Sequence, residues 1–277
     1  RLQNEDYIFF DHSMMERMLK DKEISAIFPM AIKKEQFEVY YQPKVNIIDQ
    51  TLCGCEALVR WNRNGKMISP MEFIPVLEKE GTICTLDFYV LEKVCMAIKS
   101  WIQRGMKPVR VSTNFSKIHL KNRSLADKIF KIIEKYDIDP QYIEIELTEM
   151  SGYDNYDNLA TFIKNMRERG VHTSIDDFGT GYSSLNLLTD LDVDTVKLDK
   201  SYSIRLDNNE EKTKILIRNI VNMVHDLGFK VIAEGVQTEE QAEFLREIGC
   251  STVQGYLYDR PLPLVEFEAR LKNDFTY

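Results

Sequence analysis

Between residues 37 and 254 the chain alternates eight short apolar segments with longer helical patterns, and that rhythm restricts the folds open to it. The segments are Phe37–Gln42, Gly54–Arg60, Val109–Asn114, Ile143–Thr148, His172–Asp177, Thr195–Leu198, Lys230–Glu234 and Ser251–Gln254. Strands separated by helices pair in parallel, and eight of them over about 240 residues predict a closed (β/α)8 barrel. An open doubly wound sheet would carry a glycine-rich phosphate loop after its first strand. Gly179-Thr180-Gly181 has neither the GxGxxG spacing nor the lysine of a P-loop. The helix ends are legible too. Ile83–Arg104 stops at Gly105, Leu159–Arg169 at Gly170 and Glu211–Leu227 at Gly228. Ser124 opens a run with Ile129, Phe130, Ile132 and Ile133 at helical spacing, and Thr238-Glu239-Glu240-Gln241 is a capping box. Met14–Lys33 predicts a lead-in helix.

Each predicted strand carries a polar group at or near its C-terminal end: Gln42, Glu56, Asn114, Glu146, Asp176 with Asp177, Lys197, Glu234 and Gln254. In a barrel those ends meet on one face, where active sites form. Five carboxylates in one mouth repel; at an effective dielectric near 20 each pair about 4 Å apart costs on the order of 4 kcal/mol. Cations relieve this, and a donor set of oxygens without paired cysteines or histidines points to Mg²⁺ or Mn²⁺ rather than structural zinc. Two such ions about 3.5–4 Å apart suit in-line attack of water on a phosphodiester. The glycines flanking Thr180 let the backbone turn sharply as it leaves the strand ending at Asp177. Glu149, three residues past Glu146, reads as a brace for the neighbouring loop.

Composition narrows the partners. The 277 residues are 44% hydrophobic and carry a net charge of −8, which argues against a broad nucleic-acid surface. An anionic substrate would need bound metal or a few placed cations. Five cysteines, odd in number and without a CxxC pair, predict a reduced cytoplasmic chain. Cys53 and Cys55 read as packing residues. No apolar run approaches the roughly 18 residues of a membrane span. Asp177-Phe178-Gly179 spells the kinase metal tripeptide without the catalytic loop that accompanies it, and His225-Asp226 reads as helix surface.

The strings CEALVRW (Cys55–Trp61), TNFS (Thr113–Ser116), EIELTE (Glu144–Glu149), DDFGTGYSSL (Asp176–Leu185), VKLDKSY (Val196–Tyr202), AEGVQT (Ala233–Thr238) and QGY (Gln254–Tyr256) resemble, in order, the motifs of EAL-domain phosphodiesterases. That resemblance implies a TIM-type (β/α)8 barrel with one antiparallel strand, spanning residues 25–277 after a lead-in of 1–24. It implies hydrolysis of cyclic di-GMP to linear 5′-pGpG by two-metal activation of water, with Mg²⁺ or Mn²⁺ as cofactor and Ca²⁺ binding but inhibiting. By matching position, Glu56, Asn114, Glu146 and Asp176 resemble ligands of one ion, and Asp176 bridges to a second held by Asp177, with Glu234 at or near it. Lys197 resembles the lysine that orients the attacking water; Glu234 is either a ligand or a general base. Gln42 and Gln254 resemble substrate-side or water-side contacts, and Arg60 a phosphate contact. Glu149, Phe178, Gly179, Thr180 and Gly181 resemble the loop that couples the site to a homodimer interface. Gln237 departs from the family's usual second glutamate, which should slightly weaken loop bracing. A GGDEF or sensory domain is expected upstream, in a cytoplasmic protein whose parent could be membrane-anchored. The rival reading is a non-catalytic cyclic di-GMP receptor.

Overall fold

A computed structural model describes residues 12–148, 156–179, 185–206, 211–272 and 276–277. In chain order the elements are α1 (His12–Lys33), β1 (Phe37–Asn46), β2 (Thr51–Arg63), β3 (Lys66–Ile68), α2 (Pro70–Glu80), α3 (Ile83–Gln103), β4 (Arg110–Asn114), α4 (Leu125–Lys135), β5 (Ile143–Thr148) and α5 (Tyr156–Glu168). They continue with β6 (His172–Phe178), α6 (Leu185–Asp190), β7 (Thr195–Leu198), α7 (Lys200–Leu206), α8 (Glu211–Asp226), β8 (Lys230–Glu234), α9 (Glu239–Glu247), β9 (Thr252–Gln254), β10 (Leu262–Pro263) and α10 (Leu264–Leu271). The chain divides into two compact units, one of residues 1–38 and 60–83, the other of 39–59 and 84–277.

The larger unit holds the barrel. Strands β2, β4, β5, β6, β7, β8 and β9 pair in parallel in that order, and β1 closes the circle antiparallel to β9 while also pairing with β2. All eight predicted strands are present, and one of them runs against the rest. The direction of β1 has a covalent cause: only residues 47–50 join it to β2, too few for the crossover that parallel strands require. Gln42 therefore reaches the site from the middle of a longer strand, not from a C-terminal end as the sequence pattern implied. The wall of the barrel is apolar, with Val111, Ile143, Ile145, Val196, Val231 and Val253 almost wholly enclosed. Helix α4 buries Ile129, Phe130 and Ile133 along one face, and α9 opens on Thr238, whose hydroxyl accepts from Gln241 N.

In the smaller unit, Phe28, Phe37, Trp61 and Phe73 form an aromatic cluster with ring centroids 4.9–5.8 Å apart along its contacts. Trp61 donates its indole N–H to Gln36 Oε1 at 3.2 Å, so the cluster leaves its one polar atom satisfied. Helix α2 begins with Pro70 at its first position and ends at Gly81 in the left-handed region.

Candidate metal centre

Strand β6 ends irregularly, and the site depends on that. In a regular strand Asp176 and Asp177 would point to opposite faces. Here the pairing with β7 shifts register between Ile175 and Phe178, and Asp177 takes a positive φ of 55°. The bulge turns both carboxylates toward the same mouth, at the cost of placing a non-glycine residue in the left-handed region. Gly179 follows with φ 91°, where a Cβ would collide with the Tyr202 ring; Tyr202 donates its hydroxyl to Gly179 O at 3.3 Å. Phe178 is buried beside Leu198 of β7. Glu149, Thr180 and Gly181 lie outside the described residues.

Two acidic triads result. Oxygens of Glu56, Glu146 and Asp176 lie within 4.8 Å of one another, and so do those of Asp176, Asp177 and Glu234. Asp176 belongs to both. Lys197 of β7, fully buried, puts its Nζ 2.6 Å from Glu146 Oε2, 2.7 Å from Glu234 Oε1, 3.0 Å from Asp176 Oδ1 and 3.6 Å from Glu56 Oε2. Amides complete the rim. Asn114 Nδ2 donates to Glu56 Oε1 at 2.8 Å; Gln254 Nε2 donates to Glu56 Oε2 at 2.6 Å and to Gln42 Oε1 at 3.1 Å. Gln42 in turn donates to Asp259 O at 3.4 Å. Of the expected site residues, these nine are gathered in the larger unit. Arg60 is half-buried and belongs to the smaller one.

Sequence reasoning passed over three participants. Lys44 of β1 is buried with its Nζ 2.9 Å from Glu146 Oε1, and Glu144 lies 3.5 Å from the same ammonium. Asp199, also buried, accepts from Ser201 N at 2.9 Å. Lys44 and Glu144 had a signal: each sits two residues from an expected site residue, Gln42 and Glu146, and so shares its strand face.

The charges settle unevenly. Burial opposes the Lys197 ammonium, but the surrounding carboxylates outweigh it and hold it well above the usual lysine range. Burial would raise Glu146, yet Lys197 and Lys44 overcome this and bring it down to about 2. Glu234 goes the other way: burial, only partly opposed by Lys197, lifts it to about 8. Glu56 and Asp176 are raised mainly by burial, and Asp177 by burial and then Asp199. The signs for stability follow. Glu146 contributes stability above its ordinary 4.5, lost as pH falls toward about 2. Glu234 binds its proton more tightly in the folded state, so its contribution is full below 4.5 and fades as pH rises through about 8.

The donor set is all oxygen, mostly anionic and clustered in two groups with a shared member. That chemistry fits hard divalent cations and lacks the thiolates or imidazoles of a zinc site. Among the described residues no helix is long and apolar enough to cross a membrane.

The chain is similar to known proteins in both sequence and fold. The sequence model of the EAL domain matches residues 25–261. The cyclic di-GMP phosphodiesterase NbdA of Pseudomonas aeruginosa is 36% identical over 265 residues, covering 95% of this chain and 34% of that protein. The bifunctional diguanylate cyclase/cyclic di-GMP phosphodiesterase MucR of the same species is 32% identical, covering 93% of this chain and 38% of MucR. The chain thus spans about a third of the length of these curated relatives. A solved structure described as PaMucR phosphodiesterase in complex with c-di-GMP superposes with a TM-score of 0.82 at 31% identity, covering 88% of this chain and 99% of that one. The family model covers more than half of the chain and these relatives are 36% and 32% identical over nearly all of it, and the chain belongs to the EAL domain family.

Proposed function

We propose that the chain is a metal-dependent phosphodiesterase that hydrolyses cyclic di-GMP to linear 5′-pGpG. The observation that carries this reading is the pair of acidic triads sharing Asp176, with the Lys197 ammonium among them. Glu56, Glu146 and Asp176, with Asn114 at the rim, would hold one divalent cation, and Asp176, Asp177 and Glu234 a second. Bound Mg²⁺ or Mn²⁺ supplies Lewis-acid polarisation of the phosphoryl group and acidifies water at neutral pH. The chain's own residues do the rest. Lys197 places a fixed positive charge beside the phosphoryl oxygens as negative charge develops on them. Glu234, whose carboxylate stands at the second triad within reach of Lys197, is the group suited to take the proton of the attacking water. Water oxygen then bonds to phosphorus, the bond to the 3′ oxygen breaks, and that oxygen leaves with a proton as the free 3′ hydroxyl. Gln42 and Gln254 line the substrate side.

Relatives named as cyclic di-GMP phosphodiesterases support the substrate class. A receptor reading loses ground because every expected carboxylate of the described site is present. Purified chain with Mn²⁺ is expected to convert cyclic di-GMP to pGpG, resolved by anion-exchange chromatography, and EDTA is expected to stop it. Binding of the dinucleotide in EDTA without turnover in Mn²⁺ would instead establish the receptor. We further propose a homodimer, a GGDEF or sensory domain upstream in the parent protein, and a cytoplasmic setting.

A pH dependence follows from Glu234. A cation must displace its proton, so Mn²⁺ affinity by titration calorimetry is expected to rise about tenfold per pH unit from about pH 6 to 8 and to level off above. A flat affinity across that interval would show that binding displaces no proton from Glu234.

A further inference from the structure

Lys44 lies inside the barrel on β1, 4% exposed, and its Nζ donates to Ser112 Oγ at 2.7 Å, beside Glu146 Oε1 at 2.9 Å and Glu144 Oε1 at 3.5 Å. Glu144 and Glu146 are alternate residues of β5 and face the same side, and Ser112 of β4 is the register partner of Glu144. One ammonium from β1 therefore gathers three oxygens from two other strands. The opposite oxygen of Glu146, Oε2, accepts from Lys197 at 2.6 Å. Each oxygen of this enclosed carboxylate is thus held by a different lysine.

Neither Lys44 nor Glu144 belongs to the acidic triads. A buried ion pair is costly to desolvate, and apolar residues of similar volume commonly serve stability as well or better. Packing alone does not explain why charge occupies this position. Its contact with one oxygen of a triad member does. A carboxylate free to rotate would present either oxygen or turn away, whereas partners behind a ligand fix its orientation.

We propose that Lys44 is a positioning residue which, with Glu144 as its charge-balancing counterpart, locks Glu146 so that Oε2 alone faces Lys197 and the cation site. The inference rests on the cation site proposed above. The test is the double variant Lys44→Met/Glu144→Gln in the whole chain, which leaves net charge unchanged and so removes the orientation without altering the total charge around the site. Titration calorimetry with Mn²⁺ alone is expected to show binding about 10- to 100-fold weaker than wild type. At saturating Mn²⁺, kcat per active site, with sites counted by Mn²⁺ binding stoichiometry, should fall about tenfold with KM for cyclic di-GMP within about twofold; counting sites removes the drop in apparent kcat that loss of folded protein alone would cause. A Mn²⁺ Kd within about twofold of wild type overturns the brace, whatever the melting temperature does. Should the double variant not fold, Ser112→Ala keeps both charges and removes one anchor; about threefold weaker Mn²⁺ binding is expected, and an unchanged Kd overturns the proposal. Absence of Mn²⁺ binding in wild type overturns the cation site itself, and the brace with it.

Discussion

Asp176→Asn is expected to lower kcat/KM for cyclic di-GMP by about a thousandfold, equivalent to about 4 kcal/mol of transition-state stabilisation. Asp176 is the one side chain common to both acidic triads, so a single neutral amide there removes an anionic ligand from each. Asparagine has nearly the same shape, and Asp176 is 9% exposed in a mouth already crowded with carboxylates. Burial and the neighbouring Glu146 and Asp177 push its carboxyl upward, opposed by Lys197. Neutralising it relieves repulsion, so the melting temperature in EDTA should hold or rise. Mn²⁺ binding should fall together with turnover. A variant that keeps activity within about tenfold of wild type would sink the two-cation reading, since neither triad would then depend on its shared member.

The barrel was legible because its signal is distributed. Eight apolar segments, helix-stop glycines and a capping box at Thr238 each point to the same architecture, and the strands Ile143–Thr148, Thr195–Leu198 and Lys230–Glu234 match residue for residue. The ladder around β1 was less legible. Read as Phe37–Gln42 and Gly54–Arg60, the first two segments leave a gap long enough to hide their relation. The observed strands run to Asn46 and from Thr51, and the short connection then forces an antiparallel pair. Lys44 fell into that gap, which is why a buried lysine beside the site went unread. Helix α2 was missed although Pro70 stands at its first position and Glu72 accepts from Ser69 N at 3.4 Å. Pro75, inside the helix, masks the periodicity.

The site itself divides along the same line. Chain order tells which residues lie toward the end of each strand, and that was enough to gather Glu146, Asp176 and Glu234, whereas Glu56, like Gln42, enters from the middle of a longer strand, β2. Local backbone departures are not written in apolar periodicity. The bulge that brings Asp177 round beside Asp176 depends on a register shift against β7 and a left-handed φ, both tertiary properties. Asp199 escaped for a related reason: it follows β7, and only its burial places it beside Asp177 in the charge balance.

Lys197→Met is expected to separate catalysis from cation binding, which Asp176→Asn cannot do. Lys197 is fully enclosed and touches four carboxylates, so it is the strongest positive charge in the mouth before any cation arrives. Methionine keeps the length and apolar stem while deleting the charge. Turnover should drop by about a hundred- to a thousandfold, about 3–4 kcal/mol, because the fixed charge beside the phosphoryl oxygens is lost. Mn²⁺ should bind as tightly as to wild type or more tightly, since removing a like charge from the same carboxylates favours a cation. The folded state without cations should lose stability, because Glu146 keeps Lys44 but Glu234 and Asp176 lose the ammonium that offsets their burial. Saturating Mn²⁺ should restore most of the melting temperature without restoring the rate. If Mn²⁺ affinity and turnover instead fall in parallel, Lys197 serves to build the cation site, and the charge-stabilising role proposed for it is wrong.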